Sequence, residues 1–135
     1  MEMYMYCFLF AALFAVGDFQ TANQRKVECI HSKFTSDIGG QGYTNCHSSN
    51  QALAIPKIKQ CVTDWMKAKG VVQTASDGQM TVNAATFATK AGEMGETPTG
   101  RAMVACKNRP NNDRMYREAA RASQCIFEEV KKTCR

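Results

Sequence analysis

The stretch 125-CIFEEVKKTC-134 decides the fold, because it places two cysteines in a segment whose apolar spacing is helical. A helix turns by about 100° per residue, so positions nine residues apart point in opposite directions. Cys125 and Cys134 would therefore leave opposite faces of one helix, and each can be joined to a different neighbour. This arrangement predicts a small helical bundle held together by disulfide bonds.

Upstream of this stretch, the same periodicity continues towards the N terminus. Residues 108–112 (NRPNN) read as a loop, and Asn112 or Asp113 is a suitable N-cap for the helix that follows. One continuous last helix is predicted, ending near Cys134. Its apolar face comprises Met115, Tyr116, Ala119, Ser123, Ile126, Phe127 and Val130.

The other helices are predicted from apolar residues spaced three and four positions apart. In the clearest one, Pro56 suits the first turn and Gly70 suits the position just past the end. Strand signals are weak apart from a short run at Val71-Val72, and residues 75–79 (ASDGQ) read as a turn. The predicted helices cover residues 23–35, 55–69, 82–91 (capped by Thr81) and a stretch from Thr97 towards Cys106, with a loop over 36–50.

The N terminus carries the apolar run MYMYCFLFAALFAV, which is too short to span a membrane comfortably. Ala15 and Gly17 supply the small residues of a signal-peptidase site, so cleavage is expected after Gly17, with Ala22 as a second option. A buried core helix is the alternative interpretation. The chain thus divides into a signal peptide (1–17) and one domain (18–135), which is expected to be secreted without stable membrane insertion.

Cleavage removes Cys7 and leaves six of the seven cysteines. An even number in a secreted chain of this size predicts a complete set of three disulfides. A metal site is the rival, but the sequence has no C-x-x-C pair and its two histidines are His31 and His47. No metal and no other cofactor is expected.

The mature chain is basic, with 17 Lys and Arg against 11 acidic residues once Glu2 is removed. Acidic residues are scattered among the basic ones along the chain. This pattern favours a solvated surface over a nucleic-acid interface.

The segment after Cys61 resembles the insect odorant-binding protein family, in its pheromone and general odorant-binding group. The string CVTDWMKAKGVVQTASDGQMTVNAATFA is similar to the part of that family where the helix of the third cysteine leads through a turn into a short Ala-rich helix. The eight residues between Cys125 and Cys134 and the position of Cys29 also look like the family's layout. The resemblance implies an all-α bundle of five or six short helices, with three disulfides around an apolar cavity.

The resemblance also implies a pairing, in which Cys29 joins Cys61, Cys106 joins Cys134 and Cys46 joins Cys125. Three departures from the family mark a divergent chain. Lys57 stands where the second cysteine is expected, the gap from Cys106 to Cys125 is long, and the chain stops one residue after Cys134.

Large apolar and aromatic residues form the candidate ligand-binding set. Methionine is adaptable, so an interior lined by Met and aromatic side chains accepts varied apolar guests. From the residues alone, the stronger interpretation is that they simply fill the core, and it is the resemblance to the odorant-binding family that implies a ligand cavity. The set comprises Trp65, Met66, Phe87, Met103, Met115, Tyr116 and Phe127.

Catalytic patterns are missing from the sequence. Oxidised cysteines cannot act as nucleophiles, and the GGQG at residues 39–42 lacks the Lys-Ser/Thr of a phosphate-binding loop. An enzyme is therefore not expected.

Together with the predicted signal peptide and disulfides, the resemblance implies a secreted carrier for a small hydrophobic molecule such as an odorant, a pheromone or a lipid. A receptor or a second copy of the chain are further candidate partners, and nucleic acid is not. The main alternative is a cationic secreted effector, such as an antimicrobial, salivary or venom protein, that acts on surfaces or proteins without a small ligand. A saposin-like lipid-binding bundle is a third option.

Overall fold

Six helices and one β-hairpin make up the part of the chain described by the computed structural model, which comprises residues 22–39, 43 and 54–135. The mostly helical fold predicted from the sequence is confirmed. The predicted signal peptide, Cys46 and His47 lie outside the described residues. The elements are α1 (residues 22–38), α2 (Ile55–Ala68), β1 (Val72–Thr74), β2 (Met80–Val82), α3 (Ala84–Met94), α4 (Pro98–Lys107), α5 (Asp113–Arg117) and α6 (Ala119–Lys131).

Helix α2 forms as its sequence predicts. Pro56 lies in the first turn, and Gly70 adopts a φ of 76° just after the helix end, which is costly for residues with a Cβ. One face of the helix is buried along its length and supplies a stripe of core residues. The stripe comprises Ile58, Cys61, Val62, Trp65 and Met66.

The segment between α2 and α3 contains a hairpin, which corrects the predicted helix over residues 82–91. Thr81 lies in strand β2 opposite Gln73 and therefore caps nothing. The N-cap is Asn83, whose side chain accepts a hydrogen bond from the Thr86 amide at 3.0 Å. The predicted Asp-Gly turn is confirmed, because Gly78 joins the two strands with a φ of 86°.

The predicted last helix is broken at Glu118, which adopts an extended conformation between α5 and α6. At the break, the Arg121 amide donates to the carbonyl of Glu118, three residues back. The Arg117 carbonyl, which a continuous helix would pair with that amide, accepts instead from the Gln79 side chain at 3.3 Å. The hairpin thus supplies the partner for a carbonyl that the break releases.

The disulfide pairing carried over from the family resemblance is wrong. Cys29 is bonded to Cys134, and Cys106 is bonded to Cys125. These two bonds exclude all three pairs that the resemblance implied. Cys61 is also disulfide-bonded.

The expectation that Cys125 and Cys134 reach two different neighbours is confirmed, although the geometry differs. Helix α6 ends at Lys131. Cys134 follows in a tight turn, in which its amide donates a hydrogen bond to the Lys131 carbonyl at 3.0 Å. Cys125 joins α6 to α4, and Cys134 joins the end of the chain to α1.

Helix α6 lies at the centre of the bundle, where it packs against α2, α4, α5 and β2. Helices α3 and α4 pack so closely that a Cβ on Gly100 would lie 2.5 Å from the carbonyl oxygen of Gly95. One apolar core runs through all of these contacts. No helix in the described ranges combines the length and the apolar character needed to cross a bilayer.

Candidate ligand-binding interior

The seven residues predicted to bind a ligand come from five helices and lie in, or pack against, one apolar core. Six of them are buried, and Tyr116 is half-buried and packs against the others. We call this set the candidate interior. It comprises Trp65 and Met66 of α2, Phe87 of α3, Met103 of α4, Met115 and Tyr116 of α5, and Phe127 of α6.

Aromatic contacts define two sides of this interior. The rings of Phe87 and Tyr116 meet edge to face, with centroids 6.1 Å apart, which is a favourable geometry for an aromatic pair. On the α2 side, the Lys59 ammonium lies 5.1 Å from the centroid of the Phe127 ring. Burial raises the pKa of the Tyr116 hydroxyl above its ordinary value of 10.0, so this group stays protonated at neutral pH.

Polar groups are few within the described core. Thr63 of α2 and Ser123 of α6 are buried, and their hydroxyl oxygens lie 2.5 Å apart. Each hydroxyl oxygen also lies within hydrogen-bond distance of a carbonyl of its own helix, 3.1 Å from Lys59 for Thr63 and 3.3 Å from Ala119 for Ser123. Since each hydroxyl has one proton, one of them donates to the other, which in turn donates to its carbonyl. This pair links the two helices without leaving a buried polar group unsatisfied.

The sequence interpretation placed Ser123 on the buried face of its helix but missed Thr63. Thr63 directly follows Val62 and lies at the edge of the apolar stripe of α2. The buried face of the helix is wide enough to include it together with Trp65 and Met66. Its burial could therefore be predicted from its position on the helix, but not from its residue type.

Tyr43 is a core residue that sequence reasoning missed. It is completely buried in a segment predicted as loop, and its hydroxyl lies 2.7 Å from Nδ1 of His31. Its ring also contacts Phe34, with centroids 5.8 Å apart. Burial raises the pKa of Tyr43 well above its ordinary value. The sequence feature that could have indicated its burial is a single aromatic residue within a Gly-rich segment.

The candidate interior meets the surface at Met115. This side chain is 7% exposed and lines a depression of about 370 Å³ between the loop after α4 and helix α6. Cys106 and Cys125 form part of the same wall, so a disulfide frames the depression. The other six residues of the candidate interior do not line it.

Within the described residues, no group of three or more His, Cys, Asp or Glu side chains is arranged to hold a metal ion. Chemically, the described interior offers apolar surface, three methionine thioethers and hydroxyl groups. Such an arrangement can enclose an apolar molecule by burial.

Comparison with known proteins identifies no relative. No family model, no curated protein and no solved structure matches this chain.

Proposed function

We propose that this protein is a secreted carrier that binds a small hydrophobic molecule inside its helical bundle. One observation carries the proposal. Seven large apolar side chains from five helices converge on a single core, and that core reaches the surface at Met115 beside an open depression. A guest would enter past Met115 and occupy space among the methionine and aromatic side chains.

The chemistry of the candidate interior suits an apolar guest of variable shape. Methionine side chains have several rotatable bonds and can move aside without losing apolar contact. Met66, Met103 and Met115 come from three different helices, so they border the interior on several sides. Burial contributes about 0.8 kcal/mol for each methylene, so a ten-carbon guest would gain about 8 kcal/mol before the costs of association.

The covalent framework supports both the carrier mechanism and secretion. Disulfides tie α1 to the end of the chain and α4 to α6, so the shell depends less on a completely filled core for its stability. Disulfide-rich small domains are typical of oxidising, extracellular environments.

Membership of the insect odorant-binding protein family stays a prediction. The disulfide pairing of that family does not carry over to this chain. The proposal therefore depends on the composition and convergence of the candidate interior, and it extends to lipids and hormones as readily as to odorants.

The proposal is tested by ligand binding to the oxidised mature protein. Native mass spectrometry before and after denaturation would detect a co-purified lipid, and titration with N-phenyl-1-naphthylamine would report an apolar site by its increase in fluorescence. We expect saturable binding of the probe and its displacement by ten-carbon alcohols or fatty acids. The absence of both probe binding and a bound lipid, in protein with its disulfides formed, would contradict the proposal.

A pair of matched variants tests the route past Met115. Met115→Trp enlarges the side chain at the floor of the depression and should slow probe association by at least about tenfold, since a blocked route raises the barrier by more than about 1.4 kcal/mol. Val104→Trp makes the same kind of enlargement at an exposed position of α4 and should leave the rate unchanged. Equal rates for the two variants would exclude this route.

A further inference from the structure

Positive charge is concentrated in the last quarter of the sequence. Residues 101–135 contain nine basic and four acidic residues, whereas residues 1–100 contain eight of each. The whole net charge of +5 therefore belongs to the part of the chain that forms α4, α5 and α6.

The fold gathers part of this charge on one surface, which we call the basic face and define as Arg101, Arg109, Arg114 and Arg121. Arg109, Arg114 and Arg121 line the 370 Å³ depression. Arg101 lines a second depression of about 500 Å³ between α4 and the end of α6. The two depressions adjoin, because Arg109 of the first forms a 2.5 Å ion pair with Glu129 of the second.

Cations outnumber carboxylates around the two depressions by six to four. Glu118 is shared by Arg114 and Arg121, and Glu129 is shared by Arg109 and Lys132. Glu96 pairs with Arg101, Glu128 lines the first depression, and Lys33 lines the second. The hydrogen bonds and positive charges around Glu118 and Glu129 lower the pKa of both carboxyl groups, which are therefore ionised at neutral pH. The surface keeps an excess of positive charge even with both carboxylates ionised. The arginines remain open to solvent, with 45%, 63% and 46% of the side chain exposed at positions 109, 114 and 121.

An exposed apolar residue lies next to Arg101, at the edge of the basic face. Val104 is 39% exposed and is one of two large apolar residues exposed in the described ranges. It stands three residues after Arg101 and three before Lys107 on helix α4, so the two cations flank it along one side of the helix. An aliphatic side chain in this position can enter the interfacial region of a membrane while the neighbouring cations stay at the headgroups.

We propose that the basic face docks the protein onto an anionic lipid surface, with the arginines at the headgroups and Val104 against the outermost acyl carbons. The breadth of the face favours a bilayer over a free anion, because its guanidinium groups are spread over two open depressions and do not converge on one buried point. This docking is independent of the proposed carrier function, although it would bring the route past Met115 close to a source of hydrophobic molecules.

Vesicle sedimentation with the oxidised mature protein tests the docking. We expect binding to vesicles of 30 mol% phosphatidylserine in phosphatidylcholine, weak binding to pure phosphatidylcholine, and a loss of binding as salt shortens the screening length. Arg109→Gln, Arg114→Gln and Arg121→Gln combined should weaken binding by roughly 100-fold, since each arginine at an anionic membrane contributes roughly five-fold. Val104→Ser should weaken it by several fold.

The matched control is a variant with Lys26, Lys67 and Lys69 changed to Gln. It lowers the net charge by the same amount, and none of these lysines lines either depression. Equal losses of vesicle binding in the two triple variants would show that binding depends on net charge alone and would contradict docking through the basic face. Displacement by millimolar inorganic phosphate, but not by chloride at the same ionic strength, would show a free-anion site and would also overturn it. Probe binding to the interior, measured on the same variants, separates a failure of docking from a failure of the carrier function.

Discussion

Helices α1 and α6 are attached to the rest of the bundle in different ways. Helix α6 lies at the centre, and its buried face contacts α2, α4, α5 and β2 along its length. Helix α1 contributes Ile30 and Phe34 to the core and is further held by contacts with residues distant in sequence. These are the Cys29–Cys134 disulfide, hydrogen bonds from Lys33 to Thr133, and hydrogen bonds from Thr99 to Asp37.

The comparison shows how a small domain distributes its attachments. Helix α6 combines apolar contacts to four neighbouring elements with a disulfide that spans only 19 residues of sequence. Helix α1 is bonded to the end of the chain across 105 residues, and a covalent bond over that distance removes more chain entropy from the unfolded state. The attachment of α1 should therefore be more sensitive to single changes of specific contacts than that of α6.

The largest expected effect comes from removing the two disulfides separately. The Cys29–Cys134 bond closes a sequence separation of 105 residues and the Cys106–Cys125 bond closes 19. In the chain-entropy model, Cys29→Ala with Cys134→Ala lowers the free energy of unfolding by about 5 kcal/mol, and Cys106→Ala with Cys125→Ala lowers it by about 3 kcal/mol. Urea denaturation followed by far-UV circular dichroism measures both. A larger loss of unfolding free energy on removal of Cys106–Cys125 would show that loop length does not decide how much each disulfide stabilises the fold.

The next effect concerns the carboxylate that links α1 to α4. Asp37 accepts from the Thr99 amide at 2.9 Å and from the Thr99 hydroxyl at 2.7 Å, and Thr99 is completely buried. Asp37→Ala should lower the free energy of unfolding by about 2 kcal/mol, because it leaves buried donors without their charged acceptor. Asp77→Ala is the control, since Asp77 accepts from the Gln79 amide in an exposed turn. Similar losses of unfolding free energy for the two variants would show that the Asp37–Thr99 contact stabilises the fold no more than a local hydrogen bond in an exposed turn.

The smallest effect is a pH dependence that belongs to α6. Hydrogen bonds from Lys132 and Arg109 hold the pKa of Glu129 below its ordinary value of 4.5. A lowered pKa means that the ionised group stabilises the fold fully above pH 4.5, and that this stabilisation is lost as the pH falls through the lowered pKa. Thermal unfolding of Glu129→Gln should therefore show a smaller drop in Tm than the unchanged protein between about pH 5 and pH 3.

Glu96→Gln is the matched control for this measurement. It removes a carboxylate that pairs with Arg101 while 88% exposed, where an ion pair contributes little. If the two variants respond to acid in the same way, the contacts of Glu129 contribute no more than an ordinary surface pair.

Local signals predicted several elements well. Helix α2 was predicted over residues 55–69 and spans Ile55–Ala68, because its apolar stripe, Pro56 and Gly70 all act within a few residues. The helix predicted to start around Thr97-Pro98 is α4, which begins at Pro98, and the Thr97 hydroxyl caps it by accepting from the Gly100 amide at 3.0 Å. Such contacts are decided before any tertiary structure forms.

The predictions failed where distant partners decide the conformation. Strands β1 and β2 have three residues each, and such short segments carry no clear strand pattern in their sequence. Each strand is stabilised by pairing with the other, because neither segment favours an extended conformation alone. The break at Glu118 has no proline or glycine to mark it, and it depends on Gln79 for one of its carbonyl partners.

The candidate interior shows the same division. The sequence by itself determined which large apolar side chains face inward, since each of the seven lies on the buried side of its helix or packs against the core, and the hydrophobic effect acts on each separately. The tertiary structure alone decided which cysteines pair, because Cys134 lies beyond the end of α6 and reaches Cys29 across 105 residues of sequence. It also decided where the interior meets the surface, because Met115 borders a depression formed by a loop and a helix that no local pattern brings together.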